Sequence, residues 1–402
     1  MPGELQEAWA EYRDASERSR ELLESTARFT GDPDLQGPAY AGLLEAQAMA
    51  YNFLIAPTRS DTPEVFWQST WHADLYCLGQ PISDFQYGGL FLDGRGRYRV
   101  HGGIGDLRLL PLQVHTRVQG APGSAEIGNY LLDDHTDDRG RFSLTVGAHD
   151  DADIRLDPTS ADNFLLVRRI VGDWFDDVGT LDVEVLDAPP ARSIDAATTA
   201  AAIRAAAGFL EYLVRVFTVG LHDLYIARAD GRTNAWAVMP GQEVATSLVG
   251  SPSTTYVPAV FQIAEDEAVL VEWEPPKSAY WSFQVGDVWS RSLDFTHRQT
   301  DLNMVRAAVD PDGRVRVVLC LTDPGYANWL DPCGHRTGTL VVRNYRAPDD
   351  TVVPTMRVVR LADLPAQLPA GAARRTDEER RRDLAHRRAG IRAFFGGDHV
   401  RS

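Results

Sequence analysis

The sequence contains little cysteine. Its three cysteines, Cys77, Cys320 and Cys333, are an odd number, and none of them belongs to a CxxC pair. A disulfide framework and a cysteine-rich zinc site are therefore both disfavoured, and a reducing compartment fits the composition best. We expect Cys320, which lies within the apolar run VRVVLCL, to be a small core residue.

The sequence also lacks a secretion signal and a membrane-spanning run. The N-terminal residues MPGELQEAWAEYRDASERSRELL contain neither the basic start nor the apolar stretch of a signal peptide. No segment approaches the roughly 20 apolar residues that cross a bilayer. These absences predict a cytoplasmic protein without a membrane segment.

Positive charge is scarce as well. The chain has 40 Lys and Arg residues against 57 Asp and Glu residues, a formal net charge of −17. Because phosphate backbones bind concentrated positive charge, we expect no nucleic-acid partner and no membrane partner. No Walker sequence, dinucleotide-binding glycine motif or GxSxG elbow is present. The expected partner is a small molecule or a glycan, a homo-oligomer is left open, and the cofactor is unknown.

What the chain does contain is a segment that occurs twice. Residues 139–169 resemble residues 312–344, and we name the two regions the first and the second copy. The matching pieces are Gly140-Arg141 with Gly313-Arg314, Leu156-Asp157-Pro158 with Leu330-Asp331-Pro332, Leu166-Val167-Arg168 with Val341-Val342-Arg343, and, upstream, Gln113-Val114 with Gln284-Val285. Two copies rather than many indicate the tandem duplication of one unit.

The residue pattern of both copies is typical of antiparallel β-structure. Short apolar or alternating runs such as FSLTV, NFLLVRRIV and AVLVEWE are separated by Gly, Asp and Pro. We therefore predict a mainly β fold of two tandem jelly-roll-like β-sandwiches with N-terminal helices, an inter-copy helix and a C-terminal helix. The predicted divisions are a helical segment at 1–60, the first sandwich at 61–190, the inter-copy helix at 191–224, the second sandwich at 225–365 and a helical tail at 366–402.

The second copy carries motifs of a known bacterial family. They are AYWSFQVGDVWSRSLDF at 279–295, HRQTDLN at 297–303, DPDGRVRVVL at 310–319 and NWLDPCGHRTGTLVVRNY at 328–345. The last third of the chain therefore resembles the family of unknown function numbered 1214, whose usual N-terminal partner is the family numbered 1254. The resemblance implies a pair of jelly-roll-like sandwiches and no established activity.

The two copies differ where chemistry is expected. The second copy has Asn328-Trp329 and Gly334-His335 where the first has Ile154-Arg155 and Ser160-Ala161. The first copy keeps the Leu-Asp-Pro turn without a tryptophan or a histidine, so the turn alone requires neither side chain. This difference favours a functional site in the second copy.

The loop after residue 327 supplies four candidate residues. A carboxylate at Asp331 would orient the imidazole of His335 and raise its basicity, as a general base requires. Trp329 is a candidate to stack on a sugar or another flat ligand, and Asn328 to supply hydrogen bonds. A structural interpretation stays open, because Asn and Asp also brace turns and Trp also fills cores.

A second segment, residues 294–303, supplies four more candidates, and Trp289 shortly before it supplies a fifth. Asp294 and His297 are candidate catalytic groups, whereas Arg298, Asn303 and Trp289 are candidate ligand-binding groups. We predict that this segment and His335 line one pocket. A structural role for the segment is the alternative.

Other possibilities remain weaker. His297, His335, Asp294 and Asp331 would suit zinc or iron, but no HxH, HxxxH or HExxH spacing supports a metal site, and we predict none. Cys333 beside His335 is a possible nucleophile. Arg168 and Arg343 recur at matching positions of the two copies, which favours a structural role for both.

The candidates support two hypotheses on function. The first is an enzyme, a hydrolase or lyase, that acts on a small polar or carbohydrate-like substrate by acid–base chemistry at a cleft in the second copy. The alternative is a non-catalytic ligand-binding module, for example a carbohydrate-binding one, or a self-assembly module of double jelly-roll type. Groups that converge in an accessible pocket would favour the enzyme, whereas buried groups saturated by backbone partners would favour the module.

Overall fold

The fold was analysed in a computed structural model of the chain. The structure describes residues 2–56, 62–68, 78–191, 195–237, 239, 253–348 and 353–396, so that Cys77 lies outside the described residues. The chain forms two compact units. Unit 1 comprises Met1–Gln68, Phe85–Val171 and Asp176–Gly220, and unit 2 comprises Ser69–Asp84, Gly172–Phe175 and Leu221–Ser402.

The helices lie at the two ends of the chain and between its two copies. They are α1 (Pro2–Glu24), α2 (Ala27–Gly31), α3 (Gln36–Leu54), α4 (Ala196–Tyr212), α5 (Leu221–Arg228), α6 (Leu364–Gln367) and α7 (Asp377–Gly396). A π-helical segment, Leu213–Gly220, joins α4 to α5, and short 3-10 turns lie at Pro33–Leu35, Leu132–His135 and Leu361–Asp363. Asp195 begins α4 with a capping box, because its carboxylate accepts the Thr198 N–H while the Thr198 hydroxyl accepts the Asp195 N–H.

The first sandwich lies in unit 1 and contains two sheets. Its strands are β1 (Phe66–Trp67), β2 (Phe85–Leu92), β3 (Arg97–Gly103), β4 (Pro111–His115), β5 (Glu126–Leu131), β6 (Arg141–Gly147), β7 (Ile154–Arg155), β8 (Asn163–Ile170) and β9 (Thr180–Asp187). One sheet has the order β1-β2-β8-β4-β5 and the other the order β7-β6-β3-β9. The strand pairs are antiparallel except for β6 with β7, which is parallel.

The second sandwich lies in unit 2 and repeats this order. Its strands are β10 (Thr254–Gln262), β11 (Glu267–Trp273), β12 (Tyr280–Gly286), β13 (Asp301–Asn303), β14 (Val315–Leu319), β15 (Trp329–Leu330), β16 (Thr337–Tyr345) and β17 (Thr355–Arg360). The sheets are β10-β16-β12-β13 and β15-β14-β11-β17, again with one parallel pair, β14 with β15. Each strand from β2 to β9 thus has a counterpart eight strands later. The predicted fold class, mainly β with two tandem jelly-roll-like sandwiches and added helices, is confirmed.

The strand register supports the sequence match residue by residue. Gln113 of β4 lies opposite Leu166 of β8, and Gln284 of β12 lies opposite Val341 of β16. Likewise Arg168 lies opposite Tyr87 of β2, whereas Arg343 lies opposite Tyr256 of β10. The two copies therefore place their recurring glutamine and arginine at equivalent points of equivalent sheets.

Alternation of side chains along each strand explains the sandwich core of unit 2. Phe283, Leu340 and Val342 from one sheet pack in one buried cluster with Val271 and Val317 from the other. The side chains between them in sequence point to the opposite faces of their sheets.

The N-terminal helices do not form a separate body. Phe53 of α3 packs edge-on against Phe164 of β8 and Phe209 of α4, with ring centroids 6.1 and 6.2 Å apart. These helices share unit 1 with the first sandwich because their apolar faces are buried there. The two compact units thus follow boundaries other than the predicted 61–190 and 225–365, and the predicted C-terminal helix is α7, which belongs to unit 2.

A buried ionic network holds together distant segments of unit 2. Asp301 of β13 accepts hydrogen bonds from Arg306, at 3.0 Å, and from Arg387 of α7, at 2.5 Å. Arg306 also pairs with Asp84 at 2.7 Å, and both guanidinium groups lie over the ring of Trp174. Two carboxylates and two guanidiniums leave no net charge, so this cluster is a structural one.

Candidate functional site

The two predicted segments of the second copy meet at an ion pair. Arg298 Nη1 donates a hydrogen bond of 2.9 Å to Asp331 Oδ2. Beside this pair, Gln299 Nε2 donates to the Trp329 carbonyl at 2.5 Å. The structure thus brings the 294–303 segment and the 328–335 loop into contact.

The side chain of Asp331 stabilises the turn that follows it. The residue is 5% exposed, and its Oδ1 accepts the Cys333 N–H at 2.8 Å. The Pro332 carbonyl accepts the His335 N–H at 2.9 Å, and both central residues of this turn have positive φ, 52° at Cys333 and 86° at Gly334. Because Asp331 braces the turn and pairs with Arg298, it is not directed at His335.

Trp329 is a core residue. Its Nε1 donates to the Cys320 carbonyl at 2.9 Å, and its ring belongs to a buried cluster with Leu270 of β11 and Leu368 after α6. The corresponding residue of the first copy, Arg155, lies on a sheet face that is open to solvent. The tryptophan therefore has a structural cause, and the predicted stacking on a ligand is not supported by its exposure of 8%.

The other buried candidates are also in structural positions. Asn328 bonds the backbone of Ala308 at both ends of its amide, at 2.8 and 2.7 Å. Asn303 donates to the Gly172 carbonyl at 2.8 Å and accepts from the Arg306 N–H at 3.0 Å. Trp289 is fully buried. The ligand-binding roles predicted for these three residues would require side chains that are exposed.

Four candidates reach solvent at least in part, namely Asp294, His297, Arg298 and His335. His297 Nδ1 lies 2.9 Å from Asp294 Oδ1, and both side chains are about half exposed. His335 is partly buried, and burial together with the nearby Arg291 lowers its pKa. Burial raises the pKa of the Cys333 thiol to about 12, so that this thiol is protonated at neutral pH and does not suit a nucleophile.

Within the described ranges, no three His, Cys, Asp or Glu side chains are arranged to hold a metal ion. A cavity of about 10 Å³ lies nearby in unit 2, enough for a single water molecule. Its lining includes Asp310, Arg316, Tyr326 and Asn328. The one candidate that faces this cavity is therefore Asn328.

Comparison of the two copies reveals a group in the first copy that sequence reasoning missed. Arg343 is 6% exposed and hydrogen-bonded at both terminal nitrogens, since Nη1 donates to Gln284 Oε1 and Nη2 donates, at 3.0 Å, to the Gln80 carbonyl. Its counterpart Arg168 is 4% exposed, yet Nη1 of Arg168 has no hydrogen-bond partner among the described residues. The guanidinium lies 5.8 Å from the ring centroid of Tyr87.

Two titratable side chains lie close to Arg168. His115 is 2% exposed, its Nε2 has no hydrogen-bond partner in the described part of the chain, and burial beside Arg168 lowers its pKa to about 4. Glu126 lies opposite His115 across the β4–β5 ladder and accepts the Gln113 amide at 3.3 Å. Desolvation raises the pKa of Glu126 although Arg168 and Gln113 oppose the shift. We name Gln113, His115, Glu126 and Arg168 the first-copy cluster.

Aromatic rings adjoin the first-copy cluster. Phe164 lies opposite His115 in the ladder, and its ring is 5.1 Å from that of Phe91 and 6.1 Å from that of Phe53. The site thus combines a buried cation, a neutral imidazole and an apolar wall. This combination suits a small molecule that has one anionic end.

The recurrence of arginine was the signal for this cluster, and hydrogen bonds that support the predicted structural role are shown for Arg343. The partners of Arg343 include Gln80, which lies 263 residues away in the sequence. Sequence alone therefore gives no sign that one arginine is satisfied and the other is not.

Comparisons with known proteins bear on the fold. No family model and no curated protein matches the sequence. The chain is similar to an uncharacterised protein from Burkholderia cenocepacia whose crystal structure is known, with a TM-score of 0.78 and 26% identity over 90% of this chain and 99% of that one. A protein from Vibrio parahaemolyticus matches at 13% identity and a TM-score of 0.43, over 80% of this chain and 97% of that one. The resemblance to families 1214 and 1254 stays a prediction.

The helices were also tested for membrane crossing. Of the helices in the described ranges, none is both long enough and apolar enough to span a bilayer.

Proposed function

We propose that this chain is a non-catalytic ligand-binding protein, and that its first sandwich binds a small carboxylate at Arg168. The observation that carries the proposal is a buried guanidinium whose Nη1 has no hydrogen-bond partner among the described residues, whereas its counterpart in the second copy is hydrogen-bonded at Nη1 and Nη2. Buried charges in proteins are paired or bound to an ion, because an isolated one is costly to desolvate. A bound anion would supply the missing acceptor.

The candidate residues of the second copy support the non-catalytic part of the proposal. Asp331, Asn328 and Asn303 are each bonded to backbone groups of their own unit. Side chains used in this way are not available for proton transfer to a substrate. At Arg343 the second copy thus supplies hydrogen-bond acceptors from its own unit, whereas the described residues of the first copy supply none to Nη1 of Arg168.

The chemistry around Arg168 favours a carboxylate over a phosphate. A guanidinium binds carboxylates and phosphates alike through parallel N–H groups, so that the charge of the ligand decides between them here. Glu126 lies close enough to Arg168 to interact with it. Its carboxylate would therefore repel a doubly charged phosphate more strongly than a singly charged carboxylate ligand. A neutral His115 adds one polar group, and Phe164 and Phe91 favour an apolar body.

Isothermal titration calorimetry with sodium benzoate tests the proposal. We expect one benzoate site in the wild type and none in Arg168→Met, which removes the guanidinium and keeps the length of the side chain. Arg343→Met is the matched control, because it changes the equivalent position of the second copy and should still bind. Inorganic phosphate should bind more weakly than benzoate. Equal benzoate binding by wild type and Arg168→Met, or no binding by either, would contradict the proposal.

A second candidate function is acid–base catalysis at the exposed Asp294–His297 pair. The 2.9 Å contact would orient the imidazole, and Arg298 beside it offers a cation for a polar substrate. A panel of 4-nitrophenyl glycosides and esters tests this function. It requires a turnover that His297→Gln lowers by roughly 10²–10⁴-fold; turnover unaffected by this variant would exclude it.

A further inference from the structure

Helix α3 is apolar on the side that faces away from the core of unit 1. Its inner side chains, among them Leu43, Ala46 and Ala50, are buried. On the opposite side Leu44 is 62% exposed and Tyr51 is 55% exposed. A helix that is apolar all round is normally covered on every side.

The exposed residues form one continuous line, which we name the α3 stripe. It consists of Tyr40, Leu44, Tyr51 and Ile55, spaced by four, seven and four residues, so that all four lie on one helix face. The only charged residue in α3, Glu45, is 7% exposed and lies off this face. An uncharged surface of this kind is unusual in a chain with a net charge of −17.

The size of the stripe is that of an interaction site. The exposed parts of four such side chains amount to roughly 300–400 Å². Exposed apolar patches of about 300–600 Å² are often functional, and an interface of standard size buries about 800 Å² on each partner. The stripe would therefore supply the apolar centre of an interface, with a polar rim around it.

We infer that a second copy of this chain covers the α3 stripe. A two-fold axis that lies between two helices, level with Gln47 and Ala48 and perpendicular to the helix axes, places an antiparallel second α3 against the first. This axis brings Tyr40 of each copy opposite Ile55 of the other, and Leu44 of each copy opposite Tyr51 of the other. Both pairs are centred midway between residues 47 and 48 in the sequence. The stripe is thus complementary to itself, as a two-fold interface requires.

Small side chains at the proposed axis favour the close approach of two helices. Ala48 lies at the crossing point, and Gln47 is held against α1 by a 2.6 Å hydrogen bond to the Ser16 hydroxyl. At one end of the stripe, Glu24 of α1 accepts a hydrogen bond from the Tyr40 hydroxyl and belongs to an ion-pair network with Arg20 and Glu17. An apolar centre beside polar groups is the usual composition of an interface.

Sedimentation velocity of the full chain, over roughly 1–100 μM, tests the inference. We expect a concentration-dependent dimer for the wild type, and at least a tenfold weaker dimer for Leu44→Glu and for Tyr51→Lys. Val309→Glu changes a residue of unit 2 that is also 55% exposed and should dimerise like the wild type. Circular dichroism confirms that each variant is folded.

A double variant tests the antiparallel register. In a chain with both Leu44→Glu and Tyr51→Lys, each glutamate would face a lysine of the other copy, twice per dimer. The double variant should therefore dimerise more strongly than either single variant, and added salt should weaken it. A wild type that stays monomeric over the whole range, single variants that dimerise normally, or a double variant no stronger than the single ones would each overturn the inference.

Discussion

The contrast between the two recurring arginines leads to a sharp prediction on stability. Arg343→Met removes the donor of two buried acceptors, Gln284 Oε1 and the Gln80 carbonyl. Each buried acceptor that loses its partner costs about 1–3 kcal/mol, so the free energy of unfolding should fall by about 2–6 kcal/mol. Arg168→Met removes a guanidinium whose Nη1 has no hydrogen-bond acceptor among the described residues.

For Arg168→Met two smaller effects oppose each other. The contact with the Tyr87 ring, worth about 0.5–2 kcal/mol, is lost. In return, the desolvation cost of a buried cation, which the nearby Glu126 offsets only in part, disappears. We therefore expect Arg168→Met to unfold within about 1 kcal/mol of the ligand-free wild type, or to be more stable.

Urea unfolding, followed by tryptophan fluorescence and far-ultraviolet circular dichroism, measures this difference. Both variants carry the same substitution at equivalent strand positions, so intrinsic strand propensity should affect them alike. The protein must be dialysed free of carboxylates, because a bound ligand would add stability to the wild type alone. If Arg168→Met loses as much stability as Arg343→Met, Arg168 has a structural partner and the reasoning is refuted.

Three further predictions concern stability. The pKa of His115 is about 4 in the folded chain and about 6.5 in the unfolded chain, so the free energy of unfolding should fall by about 3 kcal/mol as the pH drops from 6.5 to 4. The free energy of unfolding of His115→Leu should not show this fall. A pH profile that is the same for this variant and the wild type would refute the assignment. Arg387→Met breaks a buried pair with Asp301 and should cost about 3–5 kcal/mol by urea unfolding; a loss below 1 kcal/mol would contradict the network. Trp329→Ala should lower the free energy of unfolding by about 3–5 kcal/mol, because it leaves a cavity in a buried cluster. The folded fraction of this variant should bind benzoate as the wild type does. A loss of benzoate binding in calorimetry would instead indicate that Trp329 contacts the ligand.

Much of the fold is predictable from the sequence because side chains alternate along strands and two stretches recur. The matches of Gln113 with Gln284 and of Arg168 with Arg343 align equivalent strands of the two sandwiches by sequence alone. The limits of the compact units are less predictable. Residues 172–175 belong to unit 2, where the Gly172 carbonyl accepts hydrogen bonds from Asn303 and Arg306. Such contacts between residues distant in sequence leave no local pattern.

The candidate site was less predictable for a related reason. The gain of Trp329 in the second copy looked functional, but it reflects burial under residues that follow the copy, such as Leu368. Asp331 and Asn328 are polar because a turn and a neighbouring backbone segment need acceptors there. What marks Arg168 is the lack of a partner for Nη1 among the described residues, and this lack depends on the three-dimensional surroundings of the side chain.

A crystal of the protein soaked with 4-bromobenzoate tests the central claim most directly, because the bromine gives an anomalous signal. The account predicts one anomalous peak in the first sandwich, with the carboxylate within hydrogen-bond distance of Arg168 Nη1 and the ring beside Phe164. A peak at Arg343 instead, or no peak near Arg168 in a crystal whose first sandwich is accessible to the soak, would contradict it.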